Sequence, residues 1–435
     1  MATMTYYAPA EGKETVFTVS ATSIKFGAGS LAELGDDAKA LGMSRVALFT
    51  DKHVRGIPPA QTAFESLERA GLDIAVYDEI HVEPTDLSFM AAADFARDGD
   101  FDGYVSLGGG SVIDTAKAAN LYATYPDELL AYVNAPIGRA KPVPGPLKPH
   151  IACPTTSGTG SETTSVTVFD LVEEQMKTGI SSKFLKPTLA LIDPDTTRTL
   201  PAGVVASTGF DVLTHAIESY TARPFTRRPR PEDPSLRPPY QGANPYSDIG
   251  SMEAIRLGSR YLVRAVKNAD DSEAREHLIF AASLAGIAFG NAGVHIPHTM
   301  SYSVAGLNHT FRASGYERDN PMVPHGISVV VNAPAAFRFT AEAAPERHLK
   351  AAEALGADIT GASPNDAGEA LASQFIAMMR EAGIPNGIGA LGYTAADIPA
   401  LVKSAFAQKR LLAQSPRDVT EDDLANLYKD AMRYW

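Results

Sequence analysis

A single cysteine, Cys153, in 435 residues excludes an internal disulfide, so packing and hydrogen bonds must hold the fold. Basic residues are in deficit. The 38 lysines and arginines against 51 aspartates and glutamates leave a net charge of −13, which argues against a nucleic-acid binder. No stretch approaches the roughly 18 consecutive apolar residues of a membrane span, so no membrane partner is expected. Met1–Phe17 lacks an apolar core of signal-peptide length, and the first arginine is Arg45. Neither a secretory nor an Arg-rich mitochondrial leader is expected from this, and the expected location is cytoplasmic. The signature of disorder is missing too: 45% hydrophobic and 20% charged residues is ordinary globular composition. At roughly 100–200 residues per domain, the length suggests two or three domains.

From about Val16 to Asp193, β-rich runs alternate with amphipathic segments, as parallel strands joined by crossover helices require. Arg45–Thr50, Ile74–Tyr77 and Tyr104–Leu107 read as strands. Pro58–Ala70, Pro84–Arg97 (with Thr85 as N-cap) and Ser111–Thr124 read as helices. Beyond Leu189–Pro194 the pattern turns helical: Val205–Tyr220, Asp248–Val266, Ala274–Gly290, Ala341–Leu355, Ala367–Glu381, Ala395–Ala405 and Glu421–Tyr434. The expected architecture is an α/β dinucleotide-binding domain over residues 1–200 and an all-α metal-binding and substrate domain over 201–435. Arg223–Pro245, rich in proline and arginine, reads as loop.

Two donor-rich turns follow strand candidates. Gly108-Gly109-Gly110-Ser111, with Asp114 behind it, stands where a strand ends and a helix begins. Glycines there let the backbone approach a phosphate, and the helix N-terminus favours an anion. The pattern is not G-x-G-x-x-G. Pro154 to Glu162 holds five hydroxyls and two glycines between Thr155 and Ser161. Two such loops at strand ends of one α/β half point to a nucleotide site. Asp51, directly after a strand, suits the adenosine ribose hydroxyls and would repel a 2′-phosphate, which favours NAD over NADP.

Asp211 and His215 are four residues apart in a helical segment, so both project from one face. His295, His298, His309 and His325 lie in the same half, which makes five candidate imidazole ligands with His215. One carboxylate and three histidines would suit a divalent first-row metal such as Fe²⁺ or Zn²⁺. Spacing alone leaves open which histidines complete the set. His295 and His298, three apart, would point the same way on a helix.

With these residues in view, the chain resembles the iron-containing alcohol dehydrogenase family, most closely its hydroxyacid–oxoacid transhydrogenase branch. The stretches that carry the resemblance are Val82–Asp86, Gly108–Ser111 with Asp114, Lys117–Asn120, Pro154–Glu162, Gly209–Asp211 with His215, Gly290–His295 and Val323–Gly326. The resemblance implies the dehydroquinate synthase-like fold of that family and places its metal ligands, which are the catalytic centre, on Asp211, His215, His298 and His325. It puts the pyrophosphate turn on Gly109, Gly110 and Ser111 with Asp114, further nucleotide contacts on Thr155 and Thr156, the adenosine-side carboxylate on Asp51, and a basic position near the nicotinamide ribose on Lys177. The implied cofactors are NAD and Fe²⁺, with Zn²⁺ as the other metal. The implied reaction moves a hydride from 4-hydroxybutyrate to 2-oxoglutarate, giving succinate semialdehyde and 2-hydroxyglutarate. The alternatives are an NAD-dependent alcohol or 4-hydroxybutyrate dehydrogenase with exchangeable cofactor and a nicotinoprotein alcohol dehydrogenase. The expected partners are a small hydroxy acid or alcohol and further copies of the chain in a homo-oligomer.

The sequence departs from simpler members of that family at Tyr302, where they have a histidine four residues after the third ligand. It also has extensions at Arg223–Pro245 and between His298 and His325. These carry Arg223, Arg227, Arg228, Arg230, Arg237, Arg312 and Arg318, and one or more of them is expected to clamp the substrate carboxylate.

Overall fold

Residues with near-continuous apolar runs form the strands of a sheet that is covered on both faces. In the computed structural model, which describes residues 5–174, 176–316 and 320–435, the chain divides into two compact units. One is residues 21–200; the other is residues 201–435 together with the N-terminal stretch up to Ser20.

The α/β unit is built on β1 (Ser23–Phe26), β2 (Arg45–Thr50), β3 (Asp73–Tyr77), β4 (Gly103–Gly108), β5 (His150–Pro154) and β8 (Leu189–Ile192). They form one sheet in the order β1-β8-β5-β4-β2-β3, with every pairing parallel. β4 and β5 are buried along their whole length, as parallel strands between two helical layers must be. Between β7 (Met176–Ser181) and β6 (Val166–Leu171) runs a separate antiparallel ladder. This hairpin was not among the strands expected from the sequence.

The register places the functional loops. Gly108 at the end of β4 pairs with Pro154 at the end of β5, and Leu107 pairs with Thr50 at the end of β2. The chain therefore leaves three neighbouring strands side by side at one carboxyl edge. β3 lies on one side of β2 and β4 on the other, so this edge is also where the strand order reverses, the usual ligand crevice of such sheets. The helices α1 (Leu34–Ala40), α2 (Pro58–Arg69), α3 (Asp86–Asp98) and α4 (Gly110–Thr124) complete the unit. Thr85 caps α3 as expected: its Oγ1 accepts from Ser88 N–H at 3.1 Å, and its own N–H donates to Ser88 Oγ at 2.9 Å.

The second unit is helical: α5 (Ala202–Thr221), α6 (Pro245–Lys267), α7 (Ser272–Ala292), α8 (Ile296–Gly306), α9 (His325–Val330), α10 (Ala333–Ala341), α11 (Pro345–Ala354), α12 (Ala367–Glu381), α13 (Ile398–Phe406), α14 (Lys409–Leu412) and α15 (Glu421–Asp430). α5 is buried on all sides past its first turn, so it forms the axis of the unit. The helix expected over Ala341–Leu355 begins only at Pro345: Ala341 closes α10, and Pro345 opens α11 and cannot continue the helix before it. Among the described residues no single helix is long and apolar enough to cross a membrane.

Residues 5–20 belong to the helical unit, not to the α/β domain expected over 1–200. Hydrogen bonds explain it. Thr18 N–H donates to Gln241 Oε1 and Ser20 N–H to Asn291 Oδ1, both at 2.9 Å, and Arg237 pairs with Glu14 at 2.9 Å. Arg347 anchors the start of the stretch: it pairs with Asp248, and its guanidinium carbon lies 3.7 Å from the Tyr220 ring centroid and 4.4 Å from that of Tyr6. Removing one partner of a buried ion pair strands the other charge. Arg347→Met is therefore expected to lower stability by about 3–5 kcal/mol, read as a shifted urea midpoint of the helical unit.

Candidate metal centre and nucleotide loops

Asp211 and His215 lie one turn apart in the middle of α5, and Glu218 follows on the same face. α8 brings His298. Pro297 sits in its first turn, where a missing N–H is harmless, so the helix begins at Ile296 and His295 stays outside it as the N-cap. His295 therefore does not share His298's direction; its Nε2 pairs with Thr221 Oγ1 at 3.1 Å. His325 opens α9. Gly326 next to it is required, because a Cβ there would lie 2.1 Å from the Ser207 carbonyl oxygen of α5. That close approach sets His325 beside Asp211. His309 is exposed, with Nε2 against Gly306 O, and takes no part.

The donor atoms of Asp211, His215, His298 and His325 all lie within 4.8 Å of one another. His298 Nε2 is 3.5 Å and His325 Nε2 3.9 Å from Asp211 Oδ1, and His215 Nδ1 is 3.8 Å from Oδ2. Ligands at about 2.0–2.2 Å from a tetrahedral ion are separated by about 3.3–3.6 Å, close to these spacings. Three of the atoms, Asp211 Oδ1, His215 Nδ1 and His298 Nε2, are buried without a hydrogen bond among the described residues. Buried polar atoms without partners are costly, and a shared divalent cation would satisfy them all. The residues fit a metal ion.

Neighbours fix the ligands. The Phe289 ring stacks on His215 at 4.0 Å, nearly parallel. Glu218, wholly buried, takes the Nδ1 side of His298 in a short hydrogen bond and accepts from His295 N–H at 2.8 Å. Such a carboxylate–histidine pair sets which ring nitrogen faces the metal. Glu218 had no role in the sequence reading, although its place three residues after His215 and seven after Asp211 puts it on the ligand face. Burial alone would raise the Asp211 carboxyl, but His215 and His325 outweigh it and hold it well below the usual carboxylate range. Burial pushes the His215 imidazole down to about 3, so it is neutral and ready to ligate. Burial would lower His298 too, but Glu218 and Asp211 prevail and raise it to about 9.

At the carboxyl edge of the sheet, the glycine turn and the Thr/Ser loop touch. A Cβ on Gly110 would lie 2.6 Å from Thr159 Cγ2, and one on Gly109 3.2 Å from Thr156 Cγ2, so the turn needs glycine to accept its neighbour. Gly109 is the N-cap of α4, which leaves the first amides of that helix without a side-chain cap. Thr155 is buried, with its N–H on Gly108 O at 3.0 Å, and Thr156 is half-buried. Asp51 Oδ1 accepts from His53 and Val54 N–H at 2.9 and 2.7 Å; among the described residues Oδ2 accepts from none.

Asp114 and Lys177 face the protein. Asp114 accepts from Ser161 Oγ and, at 2.8 Å, from Val168 N–H. Lys177 is 1% exposed and lies 2.6 Å from Glu83 and 3.0 Å from Asp170, and these carboxylates outweigh burial and keep it charged. Lys117 adds a buried strut, donating to Ser161 Oγ at 2.8 Å and Val166 O at 2.9 Å. Of the arginines expected to clamp substrate, Arg223 pairs with Asp418, Arg237 with Glu14, Arg227 donates to Ala8 O and Arg228 to Tyr240 O. Arg230 and Arg312 are exposed, and Arg318 lies outside the described residues.

Residues 21–194 match the family described as iron-containing alcohol dehydrogenase, and residues 240–432 match its counterpart described as Fe-containing alcohol dehydrogenase family, C-terminal. The chain belongs to this family. It is an oxidoreductase with the two-part fold expected of the family. The hydroxyacid-oxoacid transhydrogenase, mitochondrial, of Bos taurus is 50% identical over 428 residues, 98% of this chain and 92% of that protein. The Homo sapiens protein of the same name is 51% identical with the same coverage. Among solved structures, a 1,3-propanediol oxidoreductase superposes with a TM-score of 0.83 at 29% identity, covering 96% of this chain and all of that one. Sulfoacetaldehyde reductase from Bifidobacterium kashiwanohense, solved with NAD⁺, gives 0.78 at 26% identity, covering 96% and 99%. The expected cytoplasmic location does not stand, because these curated relatives are named as mitochondrial. The missing leader signature in Met1–Phe17, on which that reading rests, does not by itself decide an address.

Two outcomes are expected of the brace. Because His298 holds its proton up to about pH 9 in the metal-free protein, Fe²⁺ or Zn²⁺ binding at pH 7 should release a proton and tighten as pH rises toward 9. Calorimetry in buffers of differing ionisation heat reads this. Glu218→Gln should weaken metal binding about 10–100-fold and diminish the proton release, with the helical content unchanged. In the α/β unit, Asp114→Ala should weaken NAD binding about tenfold by loosening Ser161 and Val168, measured by nucleotide titration at constant metal content.

Proposed function

We propose that this protein is a hydroxyacid–oxoacid transhydrogenase that uses NAD retained between turnovers, with 4-hydroxybutyrate and 2-oxoglutarate as its substrate pair. The observation that carries this reading is the buried donor set of Asp211, His215, His298 and His325, in a chain half identical to proteins of that name. Those four residues would hold the metal, iron(II) in the first instance and zinc as the other fit. When bound, a divalent ion supplies Lewis acidity at the substrate hydroxyl oxygen, and NAD supplies the carbon that takes up and returns the hydride.

The rest of the work is done by the chain's own groups. Glu218 keeps His298 in the tautomer whose Nε2 faces the donor set. Near-complete burial of Asp211, His215 and His298 excludes water from them. Gly109, Gly110 and Ser111 would seat the pyrophosphate on the first amides of α4, with Thr155 and Thr156 alongside. Asp51 retains Oδ2 for the adenosine ribose, which supports NAD over NADP. Asp114 and Lys177 act as positioning residues in this reading. Asp114 holds Ser161, and Lys177 holds Glu83, whose N–H donates to Ser111 Oγ at 3.2 Å.

An alcohol dehydrogenase with exchangeable NAD is the second reading, favoured by the superposition on 1,3-propanediol oxidoreductase. The two separate in one experiment. Desalted, metal-loaded protein is given 4-hydroxybutyrate and 2-oxoglutarate without free nucleotide, and 2-hydroxyglutarate is followed. Many turnovers are expected, abolished by chelation and restored by Fe²⁺. Formation of product only when NAD is added would decide for the second reading.

A further inference from the structure

Most arginines near the centre of the helical unit already have partners: Arg223 has Asp418, Arg237 has Glu14 and Arg347 has Asp248. Arg410 differs. It sits half-buried on α14, which packs against α8, the helix that carries His298 and, one turn further, Tyr302. No carboxylate among the described residues forms an ion pair with it, in a chain whose net charge is −13. Its guanidinium carbon lies 4.9 Å from the centroid of the Tyr240 ring. Tyr240 is buried, its phenol pushed up to about 12 chiefly by burial, so it remains a neutral O–H. Tyr240 adjoins the segment that leads into α8: a Cβ on Gly293, two residues before the N-cap His295, would lie 3.1 Å from Tyr240 Cβ. A cation held over an aromatic ring, on a helix packed against the one that carries His298 and with no ion-pair partner among the described residues, is built to receive an anionic ligand.

Substrate chemistry fits one such cation. In 4-hydroxybutyrate the reacting carbon is three carbon–carbon bonds from the carboxylate. In 2-oxoglutarate the reacting carbon is also three such bonds from the remote carboxylate. A single guanidinium at a fixed distance from the metal ligands can therefore hold both partners, one after the other, with the reacting carbon in the same place.

Resting on the transhydrogenase reading above, we propose that Arg410, held against Tyr240, is the specificity-determining residue that binds the remote carboxylate of both the hydroxy acid and the oxo acid. Arg223, Arg227, Arg228 and Arg237 then serve the fold. The test uses full-length, metal-loaded protein and its Arg410→Gln and Arg410→Lys variants, with metal content and melting midpoint as controls. Arg410→Gln is expected to raise KM for 4-hydroxybutyrate and for 2-oxoglutarate by about 100-fold, at least ten times the change seen with 1-butanol, with a much smaller effect on kcat. Arg410→Lys should fall between, and it carries the test alone if the glutamine variant does not fold. Glutarate, which cannot react, should lose binding in calorimetry to a similar degree. Equal losses for the acids and 1-butanol, or unmoved KM for the acids with glutarate binding intact, would overturn the assignment. Wild-type protein that oxidises 1-butanol but neither binds glutarate nor turns over a hydroxy acid would instead sink the transhydrogenase reading, and the role of Arg410 with it.

Discussion

The hydrogen bond between Glu218 and His298 is the constraint on which the metal centre depends. It joins α5 to α8 inside the helical unit, fully shielded from water, and it determines which nitrogen of His298 is turned toward Asp211. Without it, a buried imidazole next to two carboxylates would have several competing partners, and the donor set would lose its common focus. The same carboxylate also accepts from His295 N–H, so it fixes the entry of α8 as well as the ring on its first turn. Ligand geometry and helix geometry are therefore one problem with one solution.

Buried charge recurs through the molecule in the same role. Lys117, Lys177 and Arg347 are all nearly inaccessible, and each is answered by carboxylates, hydroxyls or carbonyls from elements far away in sequence. Such pairs add little net stability relative to well-packed apolar side chains, but a wrong arrangement strands a charge in a medium that cannot solvate it. In the α/β unit this logic ties the β6–β7 hairpin and the Thr/Ser loop to α4. The glycine turn is thereby held by its surroundings, the Thr/Ser loop packed against it.

Much of this was legible in the sequence. Apolar runs such as Arg45–Thr50 and Tyr104–Leu107 mark the central parallel strands, and amphipathic spacing marks the helices after them, because burial leaves strong local patterns. The Asp211 and His215 pair was visible from helical spacing. Other features were not local. Spacing does not tell His295 from His298; the family resemblance points to His298, and the physical reason, Pro297 fixing where α8 begins, lies in the fold. The β6–β7 hairpin has a broken alternation, and its strands are defined by each other. Asp114 stands just behind the glycine turn in the sequence and Lys177 enters only through the family resemblance; their partners, Ser161, Val168, Glu83 and Asp170, come from elsewhere in the fold. The arginines of the extensions drew attention by their number, while Arg410, next to Lys409 and between the expected helices, gave no signal.

The attachment of residues 5–20 to the helical unit has a temporal side. Their partners Gln241, Asn291 and Arg347 are more than two hundred residues downstream, so during synthesis the α/β unit emerges complete while the leading segment has nothing to bind. Domains generally fold as units as they leave the ribosome. Residues 5–20 are then among the last to find their place, and a nascent polypeptide halted before residue 220 would carry an ordered sheet with this segment unanchored.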